Sequence, residues 1–158
     1  VVVLLRASET LREHDEIVFA FVGIGPLAED LCKASDANHN ILFIGPLKNN
    51  ELPVYYSAAD VIVIPSLTSQ EGFPRVIPET LSCGTPVIGS SKGAISESID
   101  ESVGILTKPL SEDIANAILR LSRLERSEMA ILRKRCRAYA ERRYSDKNAQ
   151  VILNAYEG

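Results

Sequence analysis

The chain has 158 residues, close to the roughly 150 of one compact domain, and its 46% hydrophobic and 24% charged residues exclude a disordered polymer. No apolar run approaches the roughly 20 residues that a membrane-spanning helix needs. Seventeen Lys and Arg against twenty-one Asp and Glu leave a net charge of −4, so no global field draws the chain to nucleic acid or an anionic membrane, and any basic function is local.

The first twelve residues carry a helical pattern and lead into IVFAFVG (17–23), a short β-branched and aromatic run closed by glycine that reads as a strand. A helix over 27–35 follows, with Pro26 at a first helical position. The alternation continues with a strand at 41–45, a helix at 51–59, a strand at 61–65, a helix at 77–83 and a strand at 86–89. A short turn over 94–99 then leads to a fifth strand at 103–107. Ile114, Ala117, Ile118 and Leu121 mark an amphipathic helix capped by Ser111, and Met129, Leu132, Cys136, Tyr139 and Ala140 mark another. A last helix is predicted over 147–156.

The strands are apolar on both alternating faces, which predicts a sheet covered on both sides, as in parallel strands joined by crossover helices. The fold class is therefore α/β: a single Rossmann-like, doubly wound parallel sheet of about five strands with C-terminal helices. No linker or repeat divides residues 1–158. An opening without Met or a signal-peptide pattern predicts a piece of a longer protein. Cys32, Cys83 and Cys136 are odd in number and far apart, so small buried thiols in a reducing compartment are expected, and with them a cytoplasmic location. His14 and His39 lack partners at metal-ligand spacing and are expected to be exposed loop residues, so no metal is expected. Arg133, Lys134, Arg135, Arg137, Arg142 and Arg143 cluster beside an apolar stripe and read as a solvated face. The functional alternative is contact with anionic lipid at the inner face of a membrane or with a phosphate-bearing acceptor.

Ligands of open parallel sheets lie beyond the carboxyl ends of the strands, which singles out five loops. Gly23, Gly25 and Ala28 fit a loose G-x-G-x-x-A after a strand. The next strand ends in Gly45, Pro46, Leu47 and Lys48 rather than an acidic residue, which disfavours NAD. A tight turn that needs two glycines explains the pattern equally well. The loop after residues 61–65 is the most polar: Ser66, Thr68, Ser69, Gln70, Glu71 and Gly72 stand directly before the helix carrying Glu79. Glu71 can accept sugar hydroxyl protons and Glu79 can bridge two vicinal hydroxyls. In the competing reading Glu71 merely complements a helix dipole and Glu79 is a surface residue. Lys92 reads as a solvated loop residue.

EGFPRVIPE (71–79) resembles the Glu, seven residues, Glu motif of retaining nucleotide-sugar glycosyltransferases with two Rossmann-like domains. VGIGPLAEDL (22–31), ILFIGPL (41–47), YYSAADVIVIPS (55–66) and CGTPVIGSSKGAISESI (83–99) match the same family in order. The resemblance implies a donor-binding domain, with the first strand and an N-terminal acceptor domain lying upstream. It implies that Glu79 bonds the ribose hydroxyls and that Glu71 is the catalytic carboxylate at the donor sugar. Backbone N–H groups of Gly72, Phe73, Arg75 and Val76 would meet sugar hydroxyls and the diphosphate. Gly23 and Gly25 would let the first loop approach the donor, and Gly45, Pro46 and Leu47 would border the base. Ser66 would add a hydroxyl.

Pro74 departs from the pattern, because the family carries Gly there and proline removes an N–H where the donor is gripped. It also moves the expected helix start to Val76 or Ile77. The resemblance places an Arg and a Lys that neutralise the leaving diphosphate before Val1, so residues 1–158 alone are expected to be inactive. The implied donor is a UDP-, GDP- or ADP-linked sugar with no other cofactor, and the implied acceptor is a sugar or lipid-linked glycan, with no nucleic acid as partner. A non-catalytic nucleotide-sugar sensor or scaffold, and a sugar-nucleotide epimerase of the same architecture, are the competing functions.

Overall fold

A computed structural model describes residues 1–67 and 74–146. Five strands, β1 (Phe19–Val22), β2 (Ile41–Gly45), β3 (Ile62–Ile64), β4 (Val87–Ser90) and β5 (Gly104–Thr107), alternate with helices. The helices are α1 (Val2–Thr10), α2 (Ala28–Ala37), α3 (Leu52–Ala58), α4 (Val76–Ser82), α5 (Gly93–Ser98), α6 (Ser111–Ser122) and α7 (Arg126–Tyr144). Every described strand pairing is parallel, and a helix makes each crossover. The strands form two ladders, β1–β2 and β3–β4–β5, in which β1 and β3 each pair along one edge.

Among the described residues, helices cover both faces at β4 but only one at β1–β2, where Ala20, Val22 and Leu42 are exposed, so the expectation of a sheet covered on both sides is corrected for that ladder. On one face, Leu11 beside α1, Leu31 of α2, and Ile114 and Ile118 of α6 pack with Phe19, Phe21, Ile41 and Ile88, so a single apolar cluster draws on both ladders. On the other, Ile77 and Leu81 of α4, Ile95 of α5, and Cys136, Tyr139 and Ala140 of α7 enclose Val87 and Val103. Val87 and Ile88 thus face opposite cores, and all four residues of β4 are buried. That explains why this strand is apolar without alternation.

Three local expectations are corrected. Residues 94–99 form most of helix α5 rather than a turn, because Ser96 and Ser98 back-bond to the Gly93 and Ala94 carbonyls and Ile95 anchors the segment in the core. Six residues are too few for a 3.6 period to show. Ser111 is the first residue of α6 and not its cap; Leu110 holds that place and no side chain caps the end. Helix α7 opens with a capping box formed by Glu125 and Glu128. Cys32 is exposed and Cys83 half-buried, leaving only Cys136 as a buried thiol, its pKa pushed up to about 12 chiefly by desolvation. The helix expected over 147–156 lies outside the described residues.

The basic cluster on α7 is also corrected, because half of it holds the fold together. Arg133 donates to the Ala59 carbonyl at 3.0 Å and also to the Ser57 carbonyl, at the carboxyl end of α3. Arg137 donates to Ser82 at the end of α4 at 3.2 Å, and Arg143 to Glu97 near the end of α5 at 2.6 Å. One helix thereby supplies cations to the C-termini of three others, where orphan carbonyls and the negative dipole end favour them. Arg142 and Arg143 also lie over the Tyr139 ring, 5.5 and 5.8 Å from its centre. Arg133→Ala is expected to lower stability by about 1–2 kcal/mol, read as a lower denaturant midpoint with an unchanged slope.

Candidate functional site

Within each ladder, parallel pairing puts the strands' carboxyl ends on one edge, and the loops that leave them carry the candidate residues. At the first ladder, Gly23 donates its N–H to the Gly45 carbonyl at 2.8 Å, so the loops after β1 and β2 are fastened together. Gly23 has φ +124° and Gly45 φ +77°, conformations that side chains with a Cβ rarely adopt. Gly25 has neither a positive φ nor a close neighbour among the described residues, so only one glycine of that pair is required by the turn. Gly45 is buried, Pro46 is exposed and Leu47 half-buried.

At the second ladder, half-buried Ser66 follows β3, and the next described residues after Leu67 are Pro74 and Arg75. Glu71, Gly72 and Phe73 lie outside the described residues, so the structure does not bear on their expected roles. Helix α4 begins at Val76 with Arg75 at its cap, where the two prolines place it: Ile77 donates to the Pro74 carbonyl, and Pro78 falls where its missing N–H costs nothing. Arg75 and Val76 are exposed. Lys92, expected to be solvated only, reaches across to donate to the Leu67 carbonyl at 3.2 Å, tying the loop after β4 to the loop after β3.

Glu79 sits in the first turn of α4 with an exposed carboxylate. Its Oε2 accepts a hydrogen bond from the Tyr56 hydroxyl at 3.1 Å, a contact between α3 and α4 that the sequence did not disclose. Burial first, and then this bond to a carboxylate, push the Tyr56 phenol up to about 12, so it remains a proton donor at every physiological pH. The buried Tyr56 ring is a legible clue in retrospect, since a buried tyrosine hydroxyl needs a partner.

Lys48, Arg75, Lys92 and Lys108 stand on the four successive loops that leave β2 to β5, so a chain of net charge −4 presents cations where its strands end. A narrow crevice between the ends of β3, β4 and β5 is lined by Pro65, Ser90 and Lys108 among others, and Ser90 Oγ has no partner among the described residues. It has no room for even a water-sized group, so among the described residues the edge is a ledge rather than a closed cavity. His14 and His39 each lie 3.1 Å from a carboxylate, of Glu16 and Asp15 respectively. No three His, Cys, Asp or Glu side chains among the described residues converge as a metal site would require. No described helix is long and apolar enough to cross a membrane.

The sequence model for glycosyl transferases group 1 matches residues 1–143. The chain belongs to this family. Among curated relatives, it is 35% identical to an uncharacterized glycosyltransferase of Methanocaldococcus jannaschii, over 70% of the chain and 29% of that protein. It is 32% identical to a D-inositol 3-phosphate glycosyltransferase of Saccharomonospora viridis, over 98% of the chain and 38% of the relative. Among solved structures, Anabaena HepE in complex with UDP superposes with a TM-score of 0.81 at 23% identity, over 99% of this chain and 45% of that one. Sucrose-phosphate synthase of Thermosynechococcus elongatus gives 0.77 at 26% identity, over 98% of this chain and 41% of that one. The fold of these structures is therefore shared across nearly all of the chain, which spans less than half the length of these relatives.

Proposed function

We propose that residues 1–158 are the donor-binding domain of a retaining group 1 glycosyltransferase, taking a UDP-, GDP- or ADP-linked sugar. The observation that carries this reading is the exposed Glu79 carboxylate, held by Tyr56 at the start of α4, the helix that follows the carboxyl end of β3 as the fastened Gly23 and Gly45 loops follow those of β1 and β2. One carboxylate offers lone pairs on two oxygens, which suits the two hydroxyls of a ribose. The diphosphate would face Arg75, Lys92 and the backbone N–H groups of Arg75 and Val76. A leaving nucleoside diphosphate carries about two negative charges against roughly +0.5 at a helix start, so side-chain cations are required. Glu71 would serve the reacting sugar.

The same reading accounts for the two ladders. In a doubly wound sheet of order 3-2-1-4-5-6, β2 and β1 would occupy the first two places and β3, β4 and β5 the last three, leaving the third place open. A further strand of the same protein, preceding α1, would pair with the open edges of β1 and β3. An acceptor-binding domain would close over the ledge and receive a sugar or lipid-linked glycan, in the cytoplasm or at the inner face of a membrane.

The test is transfer by the natural full-length protein, offered α-linked UDP-, GDP- and ADP-glucose with a panel of sugar acceptors, the product being read by proton NMR at the anomeric carbon. Retained α configuration is expected. An inverted product overturns the mechanism, and nucleotide binding without transfer to any acceptor favours the sensor reading.

A further inference from the structure

Tyr56 is held from two directions before its hydroxyl meets Glu79. Thr85 Oγ1 donates to the Tyr56 backbone carbonyl at 2.5 Å, joining α3 to the residues that lead into β4. Arg133 grips the Ser57 and Ala59 carbonyls directly beyond it. Tyr56 as a whole is only 8% exposed. A tyrosine fixed in backbone and ring presents its hydroxyl at one place, whereas an exposed glutamate without such a partner samples several rotamers.

We infer that Tyr56 is a positioning residue for the donor nucleotide, orienting the Glu79 carboxylate so that it accepts both hydroxyls of the ribose. The inference rests on the donor-binding reading above. Tyr56 occupies one lone pair of Oε2, and no other described side chain donates to Glu79. Oε1 and the remaining lone pair of Oε2 are left for a vicinal diol. Because the phenol keeps its proton throughout the physiological range, it donates to the carboxylate and never competes with the diol as an acceptor anion.

Tyr56→Phe removes this bond alone, since the Thr85 and Arg133 contacts are made to backbone carbonyls. Calorimetric titration with UDP and with 2′,3′-dideoxy-UDP, which lacks the diol, separates the roles. Tyr56→Phe is expected to bind UDP about three- to tenfold more weakly and to bind dideoxy-UDP as the parent does. Equal weakening toward both ligands, or none toward either, overturns the inference. The Glu79 side-chain carboxyl carbon resonance, recorded without ligand, is expected to move in the variant, and an unmoved resonance also overturns it. Failure of the donor reading is distinct, because the parent chain would then bind UDP, GDP and ADP no better than a buffer control.

Discussion

Gly104→Ala is expected to cost the domain about 3 kcal/mol or more, a large part of the roughly 5–15 kcal/mol that stabilises an ordinary fold. Gly104 opens β5 opposite Val87 of β4, and a Cβ built on it lies 2.1 Å from the Val87 carbonyl oxygen. The obstacle is backbone, which cannot rotate aside. Separating the strands would break the register that runs from Val87–Gly104 to Ser90–Thr107, and β4 cannot retreat because both its faces are buried. Gly89→Ala is the matched control. Its Cβ would meet Ile95 Cγ2 at 2.6 Å and Ile99 Cδ1 at 3.0 Å, buried side chains that must shift, but neither obstacle is backbone in the sheet. Denaturant unfolding should therefore rank Gly104→Ala well below Gly89→Ala, with both below the parent, and an unchanged midpoint for Gly104→Ala would contradict the packing described.

The strands were legible because each is a short apolar run rich in β-branched residues, so ILFIG declares itself without help from tertiary context even though Leu42 within it is exposed. The start of α4 at Val76 was legible from Pro74 and Pro78, whose chemistry is local. What escaped depends on partners far away in the chain. Nothing in the spacing of Arg133, Arg137 and Arg143 says that the ends of α3, α4 and α5 lie beneath them. The Tyr56–Glu79 bond spans 23 positions and appears only once α3 and α4 are packed. Lys92 looked solvated because its acceptor is a backbone carbonyl, and every residue has one. The ladder division was likewise hidden, since a strand's own sequence does not say whether one edge or two is paired.

Glu79→Ala is expected to weaken nucleoside diphosphate binding by about ten- to a hundredfold, the loss of hydrogen bonds to a charged acceptor at roughly 1.5–3 kcal/mol. The substitution should leave the fold intact, because Glu79 is exposed, alanine favours the helix that contains it, and the core neighbours Ile77 and Leu81 are untouched. It leaves the Tyr56 hydroxyl without its acceptor, so thermal unfolding of the variant is recorded alongside binding. The most direct measurement is calorimetric titration of the parent and of Glu79→Ala with UDP-, GDP- and ADP-glucose. One of the three should bind the parent measurably and the variant at least tenfold more weakly, with the variant still fully folded at the temperature of the titration. Equal affinity in both proteins would show that this carboxylate does not hold the nucleotide and would contradict the account.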